Sequence, residues 1–264
     1  MPQIFDCISK VISKMSDEEK GLLYIILTYG KHAKSEAEHI INDSKQLASY
    51  GKHLNEKWVA QTMEDCILTG TGFMDCINDI TDNYGKQLDL TIKEVIVKSL
   101  KIPMPIFSKN TNSFAGVVQR ETWIVEQLMN SIIIDMGEDR RREFSKQIEQ
   151  LLKAKGCSAS KATEVGAAIV VGGLTTAKTI MGFNFHIVLA QVSNIIVRSI
   201  TGKGLSLVAN ATLQKSASLF LGPVGWIITG ILTLPLLTSL INPRNYDKFL
   251  PAVFIIGVSR LANT

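Results

Sequence analysis

Four uncharged stretches decide how this chain folds: VGAAIVVGGLTTA at 165–177, TIMGFNFHIVLAQVSNIIV at 179–197, SASLFLGPVGWIITGILTLPLLTSLINP at 216–243 and FLPAVFIIGVS at 249–259. They run for 13, 19, 28 and 11 residues. A helix that crosses the hydrocarbon of a bilayer needs about 20 predominantly apolar residues, so only the second and third qualify on length. Gly222 and Pro223 break the third, leaving 224–241, 18 residues with Pro235 inside, as the one stretch able to span by itself. The second carries Asn184, Gln191 and Asn194 with Arg198 along one helical stripe, and His186 with Ser193 beside it. Such a helix calls for partners rather than bare lipid.

Outward from these stretches the charge balance divides the chain. Residues 164–264 hold 7 basic residues and only Glu164 and Asp247 as acids, whereas 1–163 hold 21 basic against 22 acidic residues. The net charge of +4 therefore belongs to the C-terminal part. An apolar content of 46% and a mean hydropathy of +0.17 lie between ordinary soluble and polytopic membrane proteins, as expected when two kinds of sequence are joined. The expectation is an all-α protein: an N-terminal charged helical region over 1–101, a linker or long loop over 102–120, a helical hairpin over 121–155, and a glycine-punctuated hydrophobic module over 164–264.

Within the module, Gly202, Lys203 and Gly204 read as a helix-to-helix turn, and Gly222 and Pro243 as further breaks. Pro223, Trp226, Gly230, Pro235 and Ile241 are the candidate membrane-inserting or core residues; the Trp226 ring suits a headgroup boundary and equally a buried site with its N–H paired. Arg198, Arg244, Lys248 and Arg260 are candidate anchors. Because Arg198 and Lys203 fall in one loop and Arg244 and Lys248 in the next, positive charge gives no orientation across a bilayer. Small residues at Gly166, Gly172, Gly173 and Gly182 permit close helix approach.

The N-terminal region reads as a series of helices. Ile4, Phe5, Ile8, Val11, Ile12 and Met15 share one face, an amphipathic pattern that packs on its own domain or lies on a membrane. Ser16 with Glu19 and Ser35 with Glu38 have capping-box spacing and predict helices near 17–29 and 36–49. Helical patterns continue through Trp58, Val59 and Met63, then Phe73 and Tyr84, then Ile92, Val95 and Ile96. Pro103 and Pro105 mark the linker, and Met136 with Gly137 the turn of the hairpin.

No catalytic, cofactor or metal site is legible. His32, Glu36 and His39 share a helical face, and Glu36 with His39 is an ExxH pair, but a di-iron bundle needs a second such pair and two further carboxylates. Gly70 and Gly72 begin a GxG in which Asp75 occupies the third glycine's place. Cys7, Cys66, Cys76 and Cys157 lack zinc spacing and read as reduced buried thiols. Arg140, Arg141 and Arg142 are surrounded by Glu138, Asp139 and Glu143, which reads as a salt-bridged helix face rather than a phosphate-binding track. Neither an enzyme, nor a nucleic-acid partner, nor a small-molecule substrate is expected. Asp6 and Lys10 interrupt the apolar run a signal peptide would need, so a cytoplasmic chain, associated with the inner membrane, is expected.

GKGLS at 202–206, ANA at 209–211, GPVGW at 222–226, Gly230, PAV at 251–253 and Arg260 together resemble the bacterial YaaW family. The similarity covers 166–260 and extends more loosely over the helices before it, including SDEE at 16–19 and 121–152. The resemblance implies an all-helical protein with a hydrophobic C-terminal module, and part of the N-terminal region is similar to helical chaperones that assist assembly of a respiratory complex. It lends no catalytic residues. Two functions are therefore expected as alternatives. One is a protein that associates with or conditionally inserts into a lipid bilayer, as a membrane-perturbing effector. The other is a soluble protein-binding module or assembly chaperone, or a homo-oligomer, with the C-terminal helices buried as its core.

Overall fold

A computed structural model of the chain describes residues 4–41, 43–68, 80–98, 101–107, 113–200 and 246–263, and every regular element among them is helical. Helices α1 (Ile4–Lys14), α2 (Asp17–Tyr29), α3 (Ala33–Ile41), α4 (Ser44–Gly51), α5 (Glu56–Leu68) and α6 (Ile80–Thr91) come first. After α6 the chain continues as a π-helical turn over Ile92–Val97 and an extended segment over 101–107. Then follow α7 (Phe114–Asp135), α8 (Glu138–Ala154), α9 (Ala159–Met181), α10 (Phe185–Ile200) and α11 (Tyr246–Ala262). The all-α class expected from the sequence is what is found.

The last helix is the centre. α11 packs against α1, α2, α5, α7 and α10, and every residue from Phe249 to Ser259 is buried. A helix that is apolar on all sides needs such cover. The charge-poor part beginning at 164 is thus not a separate module at its far end: α11 is core to the N-terminal helices. Pro251 lies in its second turn, so the N–H that proline lacks is missing near the helix start rather than in mid-helix.

Local chemistry sets the helix boundaries. At α2 the capping box forms as read: Ser16 Oγ accepts from the Glu19 N–H at 3.3 Å, and Glu19 accepts from the Ser16 N–H at 2.9 Å. The second expected box does not form, because α3 already begins at Ala33 and Ser35 lies within it, donating its hydroxyl to the His32 carbonyl at 3.1 Å. α2 and α4 cross so closely that a Cβ on Gly21 would lie 1.9 Å from the Leu47 carbonyl oxygen, and one on Gly51 the same distance from that of Asp17. α1 buries Ile8, Val11, Ile12 and Met15 against the bundle, the first of the two roles its pattern allowed.

The expected hairpin is displaced by one helix. α7 begins at Phe114, inside the expected linker, and α7 and α8 share little contact; α8 pairs instead with α9. The reason is in the turns. α8 ends in a Schellman arrangement, with Gly156 at φ +85°, its N–H on the Lys153 carbonyl at 3.0 Å and the Cys157 N–H on that of Leu152 at 3.0 Å. Ser158 then caps α9 by accepting from the Lys161 N–H at 3.3 Å. The close pair is completed by Gly166, where a Cβ would stand 3.5 Å from the Ser145 carbonyl oxygen.

Candidate functional site

The strongest concentration of buried polar chemistry lies where the end of α11 meets α2, α6 and α7. Glu121 is fully buried on α7, and Arg260 of α11 grips it as a fork, Nε to Oε1 at 2.7 Å and Nη2 to Oε2 at 3.2 Å. The Tyr84 hydroxyl of α6 donates to the same carboxylate at 3.2 Å, and its ring meets Phe249 edge-on at 6.1 Å. Burial first, and the Glu121 charge second, push the Tyr84 phenol well above its ordinary pKa of 10.0, so it stays a donor. One residue earlier on α11, Ser259 donates to Glu19, so the carboxylate that caps α2 also holds the core helix.

Arg120, buried beside Glu121, turns the other way. Its Nε meets Asp89 at 2.6 Å, its Nη1 donates to the Gly116 carbonyl at 3.1 Å, and its guanidinium lies 5.0 Å from the centre of the Phe107 ring. Phe107 in turn meets Trp123 edge-on at 6.0 Å, which fastens the extended segment to α7. The chemistry of the whole cluster is that of a fastening. Each carboxylate faces a cation or hydroxyl, and what the arrangement does is fix the depth and rotation of α11.

A second polar set joins α7 to α9. Gly172 (φ −139°, ψ 18°) and Gly173 (φ +65°, ψ −153°) leave helical geometry inside α9. Beyond the break, the Thr175 N–H donates to Asn130 Oδ1 at 3.2 Å, and Lys178 reaches both oxygens of Glu126 at 2.7 and 2.9 Å. The stretch Ala159–Arg198 is long and apolar enough to cross a membrane, with a mean hydropathy of 1.6, but 44% of its apolar window is buried. Its path is bent at Gly172–Gly173 and again at Gly182, where φ is +52°. Core helices of water-soluble proteins share that composition.

Of the expected anchors, Arg260 is turned into the bundle onto Glu121, because a carboxylate buried on α7 has to be neutralised there. That partner is 139 positions away, beyond any local pattern. Arg198 and Lys248 are half-buried on α10 and α11. Pro223, Trp226, Gly230, Pro235, Ile241, Gly202, Lys203, Gly204, Gly222, Pro243 and Arg244 lie outside the described residues. In α10, Gln191 and Ser193 are buried, in keeping with a helix that seeks partners, while His186 and, in the turn before the helix, Asn184 are exposed. His32, Glu36 and His39 are all exposed, and among the described residues no His, Cys, Asp or Glu cluster is arranged to hold a metal ion. Cys157, expected buried, is a half-buried free thiol beside the α8–α9 turn. Arg142 pairs with Glu138 one helical turn away, as the charge pattern of α8 indicated.

A UPF0174 protein of Helicobacter pylori is similar to this chain, 31% identical over 142 residues, which are 53% of this chain and 53% of its own length. The chain thus spans about half the length of the curated relative it matches, and that relative's name carries no activity. No family model and no solved structure matches.

Proposed function

We propose that the protein associates with a lipid bilayer through the uncharged stretch 216–243 while the helices around α11 remain a bundle folded in water. The observation that carries the reading is the cover of the three uncharged stretches among the described residues. The stretch at 249–259 is wholly covered by protein, and those at 165–177 and 179–197 are partly covered by α7, α8 and α11. The sequence argument for a bilayer then rests on 216–243, the longest stretch and outside the described residues.

The test is co-sedimentation of the full chain with vesicles of phosphatidylethanolamine and phosphatidylglycerol. The chain is expected to pellet with them. A charge at the centre of a spanning helix costs about 3 kcal/mol, so Leu232→Asp weakens the association roughly a hundredfold with the melting of the bundle unchanged. Wild-type protein that stays in the supernatant as a soluble monomer overturns the proposal.

That outcome is the one expected of a second reading, a soluble protein-binding module whose C-terminal helices serve as core. The specific observation in its favour is the complete burial of 249–259. The half-buried aromatic group of Tyr24, Tyr50 and Trp58, with Tyr24 stacked on Trp58 at 5.1 Å, gives such a module a contact surface on α2, α4 and α5.

A further inference from the structure

We propose that residues 138–171, α8 with the first half of α9, form a flap bounded by Gly137 and Gly172–Gly173 that opens from the bundle by local unfolding, over a small apolar cavity that it shares with α7 and α10. The two halves of α9 have different supports. Before the break, Thr163 donates to Glu149 of α8 at 2.6 Å, and Gly166 lies against the α8 backbone at Ser145. After the break, Asn130 and Glu126 of α7 hold Thr175 and Lys178. The geometry changes where the support changes.

Both joints have the features of a pivot. Gly137 starts α8 at φ +78°, ψ 159°, with no side-chain cap and nothing within 4 Å of where a Cβ would stand. Gly173 lies in a region of backbone space open essentially to glycine alone. Between the joints, the Schellman turn at Gly156 and the Glu149 contacts bind α8 and the first half of α9 into one unit. Among the described residues, the main support of α8 outside its pairing with α9 is α10. That contact borders a small cavity lined only by apolar side chains, among them Met129 of α7, Met136 just after it, Phe144 of α8, and Val192 and Ile196 of α10. A flap resting on apolar contacts over a void opens more readily than a helix fastened by buried ion pairs, as α11 is.

Amide hydrogen exchange on the full chain without lipid tests this, so its outcome is independent of the bilayer reading. Amides of 140–170 are expected to exchange through an opening with a weak dependence on urea, and those of 249–259 only through global unfolding with a steep one. Phe144→Ala is expected to speed exchange at 140–170 and at 189–196 at least tenfold and to leave 249–259 within a factor of two. If the urea dependence at 140–170 equals that at 249–259, or if Phe144→Ala speeds both alike, there is no flap. Should the variant fail to fold, the wild-type urea series decides alone.

Discussion

α9 and α11 are both uncharged through most of their length, yet α11 is covered on every side from Phe249 to Ser259 whereas α9 leaves Val171 81% exposed and changes partners halfway. The difference follows from residue size and from fastening. α11 presents Phe249, Phe254, Ile255 and Ile256 around its circumference, and five helices must enclose it. α9 is built from Ala, Gly, Val and Thr, which fit closely against α8 on one side and ask for little on the other. α11 also ends in two buried carboxylate contacts, through Ser259 and Arg260, that fix where it lies. Low charge therefore marks a helix as coverable without deciding whether protein or lipid covers it.

The contrast breaks first at the ion pair. Arg260→Ala leaves Glu121 buried without its cation, with the Tyr84 hydroxyl still on it, and chemical denaturation should show a loss of about 3–5 kcal/mol, while Glu121→Leu combined with Arg260→Met should recover much of it. Removing bulk comes next: Ile255→Ala in α11 should cost about 2–5 kcal/mol, and Val171→Ala in α9 less than about 0.5 kcal/mol, in the same urea titrations. The glycines differ in kind. Gly257→Ala puts a Cβ 2.5 Å from Val125 Cγ2 and should destabilise by about 1–3 kcal/mol through overpacking. Gly173→Ala, at φ +65° and 2.5 Å from Asn130 Oδ1, should cost about 1–3 kcal/mol, showing in exchange data as a local loosening of α9.

The smallest effect is one of pH. Burial raises the Tyr84 pKa in the folded state, so the folded protein holds its proton where the unfolded chain has lost it. The stability this gives is complete below pH 10 and is lost as pH rises from there toward the folded value. An absorbance titration at alkaline pH should therefore show a late tyrosine step above the ordinary phenol range, and Tyr84→Phe should remove it.

What the sequence revealed is what depends on near neighbours. The α1 face from Ile8 to Met15, the Ser16–Glu19 box and the Glu138–Arg142 pair are each encoded within eight residues and form as read. Ser35 carried the same spacing but lies inside a helix that starts two residues earlier, where its hydroxyl has a carbonyl to bond. The hairpin lies one helix later than the letters indicate because a Met-Gly turn and a Schellman glycine look alike in sequence, while of Gly137 and Gly156 only Gly156 has the helix-terminating bonds. The site at the end of α11 was invisible for a different reason: Glu19, Tyr84, Glu121 and Arg260 are brought together only by the tertiary fold, with Glu19 and Ser259 separated by 240 positions. Arg260, alone in an uncharged stretch, carried the one local hint, and it served equally for a lipid anchor.

The account is tested most directly by quenching with brominated lipids in two single-tryptophan forms of the full chain. One keeps Trp226 after Trp58→Phe and Trp123→Phe; the other keeps Trp123, which packs on Phe107 within the bundle. With vesicles of phosphatidylethanolamine and phosphatidylglycerol, Trp226 should shift to the blue and be quenched, and Trp123 should keep both its emission and its intensity. Quenching of Trp123 to the same extent, or of neither, would contradict a water-folded bundle that meets the bilayer through 216–243.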